Sequence, residues 1–223
     1  MTLAGQMYRP CAPVLVPTFA VAFMLLRELL VVALVFDMPP VPLLLVVTLL
    51  QAVIPAFVGS LLVAAAIPVL ATRAGQGLRE TWGALAPQRS AIYGAAARSA
   101  GLALFFAITL GPVGIIVQPM VLGPPLLIHE VVLKRHPLDV AWARTKKMMA
   151  RDTRSLAFLL VIPAGVGLVL SVALRTFGVL SGDAPSVARG IAYFAMQGAL
   201  TGVAIPYVAA VGLLCYRDLA AEL

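Results

Sequence analysis

Few residues in this chain carry side chains that chemistry needs, and they fall into three groups. His129 and Glu130 are adjacent, with His136 seven positions after His129. An imidazole beside a carboxylate can ligate a metal or relay a proton, but a structural zinc site takes four ligands at close spacing. The remaining soft ligands, Cys11 and Cys215, sit near opposite ends of the sequence. No metal site and no cofactor are expected, and both cysteines should stay thiols on the reducing side of a membrane. Glu130 precedes Lys134 by four residues, the helical spacing of an ordinary ion pair, so an interfacial salt bridge is expected there. The second group is Arg27-Glu28, set inside a long apolar run. A lone Arg at the centre of a membrane helix costs about 2.5–3.5 kcal/mol on insertion scales, so both charges need partners. Neighbours on a helix point about 100° apart and would reach two different helices. A polar clasp between helices and a proton or solute site both remain open for Arg27, Glu28, His129 and Glu130.

The third group is the longest polar run, residues 136–154. At helical spacing Leu138, Ala141, Trp142, Thr145 and Met149 form one stripe, and Arg144, Lys147, Arg151 and Arg154 crowd the opposite side. Such a helix is too polar to cross a bilayer and is expected to lie on its surface, with Trp142 at the headgroup boundary. Arg144, Lys146, Lys147, Arg151 and Arg154 would then face anionic lipid. A solvated helix that merely marks the cytosolic side is the plainer alternative.

These groups are embedded in a sequence that is 62% hydrophobic and 11% charged over 223 residues, too little polar surface to coat a soluble globule of this size. The mean hydropathy of +1.03 points the same way. With about 20 apolar residues needed per crossing, the runs suggest an all-α polytopic integral membrane protein of about six transmembrane helices, residues 1–223 forming one helical domain. The expected spans are residues 14–36, 43–72, 91–110, 115–133, 155–177 and 186–216, after an N-terminal arm at residues 1–17, with the amphipathic helix between the fourth and fifth. A proline-rich turn at residues 37–42 separates the first two spans, and Gly111-Pro112-Val113-Gly114 separates the third and fourth. Gly123-Pro124-Pro125 should break the fourth span near its centre. Residues 73–89, with a Leu78, Trp82, Leu85 stripe, read as a smaller surface helix.

The net charge of +7 is carried mainly by the segments between apolar runs, which fits membrane topology and not nucleic acid. Nearly all cations fall with the termini and the two polar connectors, so both termini are expected in the cytosol of a bacterial inner membrane. Val53-Ile54-Pro55-Ala56-Phe57-Val58-Gly59 is echoed by Val161-Ile162-Pro163-Ala164-Gly165-Val166-Gly167, as an inverted repeat would require.

Pro124-Pro125-Leu126-Leu127-Ile128-His129-Glu130, then Ala141-Trp142-Ala143-Arg144-Thr145, then Leu213-Leu214-Cys215-Tyr216-Arg217-Asp218-Leu219 resemble the six-helix membrane domain attached to some glycerophosphoryl diester phosphodiesterases. In this resemblance Glu130 matches the glutamate that follows the proline stretch and Arg144 the basic position. Tyr216, Arg217 and Asp218 depart from the family's order. The catalytic barrel of such enzymes has no counterpart here. There is no phosphate loop and no G-x-S-x-G elbow, so no enzymatic activity is expected. The expected function is that of a structural or accessory subunit binding anionic lipid, a partner membrane protein or a second copy of itself. The alternative is a small transporter or lipid-handling permease with a polar site near Arg27 and Gly123-Pro124-Pro125.

Overall fold

A computed structural model describes residues 3–35, 46, 49, 53–72, 77–117, 126–151 and 187–221. Its described elements are all helical, in the order α1 (Leu3–Val35), α2 (Ile54–Thr72), α3 (Leu78–Ala84), a 3-10 turn (Ala86–Gln88), α4 (Arg89–Val117), α5 (Leu127–Lys134), α6 (Leu138–Arg151) and α7 (Val187–Ala221). The chain is an all-helical membrane protein. Among the described residues three helices are long and apolar enough to cross a membrane, at Leu3–Leu26, Ile54–Thr72 and Gly198–Ala221.

Six spans were expected, and this corrects them. Not every apolar run is a crossing. Of the expected fourth span, residues 115–117 close α4 and residues 127–133 belong to α5, a helix of eight residues that at 1.5 Å per residue is about 12 Å long. Its apolar residues are explained by burial inside protein: Leu127, Ile128, Val131 and Val132 all belong to the core. The first half of α4 carries Arg89 and Arg98, and α4 runs as helix through Gly111-Pro112-Val113-Gly114, where a turn was expected. The fifth span, the Gly123-Pro124-Pro125 break and the second arm of the repeat lie outside the described residues.

The first span also begins earlier than its prolines suggested. Pro10, Pro13 and Pro17 were assigned to an N-terminal arm, yet α1 runs through all three. They share one exposed face, and Met7, Cys11, Leu15, Phe19 and Phe23 form a buried stripe on another. Lost backbone bonds are thus confined to the side facing away from the bundle, where local adjustment is tolerated.

The stripe packs against α7, and backbone proximity explains how closely. A β-carbon built on Gly198 would lie 2.6 Å from Met24 Cα and 2.6 Å from the Phe23 carbonyl oxygen, and one on Gly202 would overlap Ala20. Glycines four apart remove the side chains that would hold two helices apart, the small-xxx-small arrangement of membrane helix pairs. Gly198 meets residue 24, Gly202 meets residue 20, and the Tyr8 and Tyr207 rings meet edge to face, so α1 and α7 run antiparallel. The start of α1 and the end of α7 therefore lie at one end of the pair.

Helix α2 is the hub, touching α1, α3, α4, α5 and α7. The Cys11 thiol donates to the Val69 carbonyl at 3.5 Å, which places the last turns of α2 at that same end. Buried hydroxyls are satisfied within their own helices: Ser60 donates to the Ala56 carbonyl at 2.7 Å and Ser99 to the Ala95 carbonyl at 3.0 Å.

Gly202→Leu should abolish close α1–α7 packing and sharply reduce the yield of folded protein in mild detergent. Gly101→Ala, at a helical site where a β-carbon meets nothing within 4 Å, should be neutral or stabilising by up to about 1 kcal/mol. Thermal melting of both purified variants checks the pair, and equal melting would contradict the glycine contact.

Candidate functional site: a buried carboxylate at the bundle end

Three helices converge on Glu130. It lies in the first turn of α5, with its amide donating to the Leu126 carbonyl at 2.9 Å. After Lys134, Arg135 adopts a left-handed backbone (φ 57°, ψ 27°), ending the helix and turning the chain back. His136 consequently returns toward the carboxylate it follows by six residues. Pro137 then opens α6, its carbonyl accepting from the Ala141 amide at 2.9 Å.

The Glu130 side chain is fully buried, and charged or hydroxyl groups from three segments surround it. Oε1 lies 2.6 Å from Arg144 Nε and 2.8 Å from His136 Nδ1, and the Tyr216 hydroxyl donates to Oε2 at 2.5 Å. The Arg144 and His136 side chains remain 36% and 33% exposed, so water reaches these two partners while the carboxylate is shielded. An unpartnered carboxylate in such a place would be costly, and one ion pair, with Arg144, and two hydrogen bonds, with His136 and Tyr216, offset the burial. Leu126, Met148, Tyr216 and Leu219 close over the site as a small apolar cluster. His129, 2% exposed, stacks on the Tyr216 ring at 5.8 Å between centroids, and its Cε1 would stand 3.1 Å from a β-carbon at Gly212.

Two expectations are corrected by this geometry. Glu130 pairs with Arg144 and His136, not with Lys134, which is exposed. The i,i+4 pair loses because Glu130 points into the bundle and Lys134 outward, so a partner must come from elsewhere. Arg144, expected on the outward basic face, turns inward for that reason. The apolar stripe of α6 also differs slightly: Ala141, Thr145 and Met148 are buried, Leu138 and Trp142 are half-buried against the core, and the Met149 side chain lies outside the described residues.

Trp142 rests partly on protein. Arg98 from α4 stands 5.0 Å above its ring and Lys146 5.5 Å from it, which ties α6 to α4 through cation–π contacts. A β-carbon on Gly94 would overlap the Leu138 side chain, so the start of α6 fits into a notch on α4. Lys146 and Lys147 face outward. Arg151 ends the helix, its side chain lying outside the described residues, as does Arg154.

Arg27 and Glu28 lie in α1, remote in sequence from this network. Glu28 is half-buried, and its Oε1 has no hydrogen-bond partner among the described residues; the Arg27 side chain falls outside them. The polar cavity that a transporter would need near Arg27 and Gly123-Pro124-Pro125 therefore falls on undescribed positions. Among the described residues no group of three or more His, Cys, Asp or Glu is placed to hold a metal ion, and Cys11 and Cys215 are free thiols.

Tyr216 and the pair Gly198 and Gly202 are absent from the residues singled out from sequence as site-forming. The glycines carried a legible signal in their four-residue spacing. Tyr216 carried none, because its partner lies 86 positions away.

Removing Arg144 should hurt more than removing both charges. Arg144→Leu strands a buried carboxylate and should cost toward the lower end of about 3–5 kcal/mol, since water already reaches the arginine. Tyr216→Phe should cost about 1.5–3 kcal/mol, the worth of a hydrogen bond to a charged group. The double variant Glu130→Leu/Arg144→Leu should melt above Arg144→Leu alone in the same detergent, and additive losses would show that the two groups are not coupled.

No family model, no curated protein and no solved structure matches the chain. The resemblance to the six-helix phosphodiesterase membrane domain is accordingly overturned, both by the missing family match and by three membrane-length helices among the described residues where that domain has six.

Proposed function

We propose that this protein is a non-enzymatic subunit of the bacterial inner membrane that presents a basic helix to anionic lipid and so organises its surroundings or a partner membrane protein. The observation that carries this reading is the way α6 is held. Arg144 locks it to the buried Glu130, and Trp142 lies under Arg98 and Lys146, while Lys146 and Lys147 remain exposed. Two cations are thus displayed from a helix whose orientation is fixed by its inward contacts. A displayed charge of this kind attracts anionic headgroups without ordering the helix anew, which lowers the entropic cost of binding.

The end of the bundle that carries α6 also carries the start of α1, the end of α7 and the α3 connector, and Arg9, Arg79, Arg89, Lys134, Arg135 and Arg217 gather with it. Such an accumulation of cations favours a cytosolic assignment of that end by the positive-inside rule.

Replacing Lys146, Lys147, Arg151 and Arg154 by glutamine should remove roughly 1 kcal/mol of attraction per charge near an anionic membrane. Retention of labelled phosphatidylglycerol by the purified protein should fall and lose its salt dependence, and unchanged retention would return α6 to a purely structural element. For orientation, a Cys11→Ala/Cys215→Ala background carrying Met38→Cys or Asp183→Cys should react with an impermeant thiol reagent on intact cells. Glu80→Cys or Lys147→Cys should not, and the opposite labelling would invert the topology.

A further inference from the structure

Trp142 gathers two cations from two helices. Arg98 Cζ of α4 stands 5.0 Å from the ring centroid, and Lys146 Nζ of α6 stands 5.5 Å from it. An indole attracts each cation but neutralises neither, so their mutual repulsion remains. Both side chains are exposed, and among the described residues no ion pair engages either. Glu130 is already met by Arg144 and His136, and Arg144 leaves α6 about 200° around the helix from Trp142, on its other flank.

Beside the two cations the surface is apolar. Arg98, Gly101, Leu102 and Phe105 follow the i, i+3, i+4, i+7 spacing of one helix face. A β-carbon on Gly101 would meet nothing within 4 Å, Leu102 is half-buried, and Phe105 is 59% exposed. The face therefore passes from a guanidinium, over a shallow step at Gly101, to an exposed phenyl ring about 10 Å farther along the axis. In this direction α4 leads away from the bundle end that carries α6. Gln88, just before α4, lines one cavity with Pro68 and Thr72 from the last turns of α2, whereas Tyr93 stacks on Phe57 near the start of α2. Unneutralised positive charge at the polar end, with an apolar strip leading away from it, is the complement of an anionic amphiphile.

We infer that Arg98, Lys146 and Trp142 form a two-helix clamp for the phosphodiester of a net-anionic phospholipid, one acyl chain of which lies over Gly101 against Leu102 and Phe105. This rests on the lipid reading of α6 and deepens it, because it assigns the lipid one place in preference to a diffuse field from every cation of the helix. A bound phosphodiester turns the repulsion between Arg98 and Lys146 into two attractions. A zwitterionic lipid brings its own cation to a place that already holds two, and free phosphate leaves the apolar strip unused. Lys147 is exposed like Lys146 but points about 100° away from it, outside the clamp.

Trp142 reports on its own site. Trp82 and Trp142 are the two tryptophans, so in a Trp82→Phe background of the full chain the fluorescence is that of Trp142 alone. Quenching is read in mixed micelles with phosphatidylglycerol brominated on its acyl chains, and with brominated phosphatidylcholine as control. Phosphatidylglycerol should bind at least fivefold more tightly than phosphatidylcholine, and excess inorganic phosphate should not displace it. Arg98→Gln and Lys146→Gln should each weaken phosphatidylglycerol at least fivefold, whereas Lys147→Gln should weaken it less than twofold. Gly101→Leu, which fills the step at an exposed position, should weaken it at least threefold. Equal losses from Lys146→Gln and Lys147→Gln, with none from Arg98→Gln, would overturn the clamp and leave the diffuse lipid reading of α6 standing. Equal affinity of the parent for the two lipids would overturn both. Displacement by inorganic phosphate, or a Gly101→Leu variant that binds as the parent does, would overturn the lipid chain as occupant of the strip.

Discussion

The end of this bundle depends on the burial of one carboxylate. Glu130 has no exposed side-chain surface, so its charge must be met from within the protein, and the groups that meet it come from α6, from the turn before α6 and from α7. The turn and α6 follow α5 directly in the chain, whereas Tyr216 of α7 lies 86 positions away. The requirement for compensation explains why a short eight-residue helix is placed where it is, why Arg135 accepts a left-handed backbone to return His136, and why a basic helix turns one of its arginines inward. An ion pair of this kind adds little net stability over a well-packed apolar substitute, but it penalises every arrangement in which the partners are apart. It acts as a positional lock.

A second constraint operates deeper in the bundle and is steric. Where α1 and α7 cross, glycine leaves backbone against backbone, and dispersion between closely approaching helices replaces the hydrophobic driving force that hydrocarbon surroundings do not supply. The two constraints divide the labour along α7. Gly198 and Gly202 seat its first half against α1, and Tyr216 pins its last turns to Glu130. Between them Pro206 is accommodated within the helix and is buried.

The polar end also shows how a membrane protein can hold cations in quantity. Arg144 is neutralised by a carboxylate, Arg98 and Lys146 lie against an indole, and Arg89 stands 5.8 Å over the Trp82 ring. Aromatic faces accept positive charge without adding acidic residues, so the end keeps its excess of positive charge. Tyr93 meets Trp82 edge to face and also stacks with Phe57 of α2, so aromatic rings link the α3 connector to α4 and α2.

By itself the sequence determined the class: a composition this apolar requires a helical membrane protein, and the i, i+3, i+4 spacing of Leu138, Ala141, Trp142 and Thr145 requires an amphipathic α6. Both are local or compositional properties, readable without knowing neighbours. The number of crossings was not of that kind. An apolar segment looks the same whether lipid or protein covers it, and α5 is covered by protein. Nor could the partners of Glu130 be read locally. Lys134 had the right spacing and the wrong direction, whereas Arg144 and Tyr216 are brought in by a left-handed turn and by the antiparallel return of α7. Tertiary structure alone decided those contacts, because the energy of a buried charge depends on what surrounds it in space and not on what precedes it in the chain.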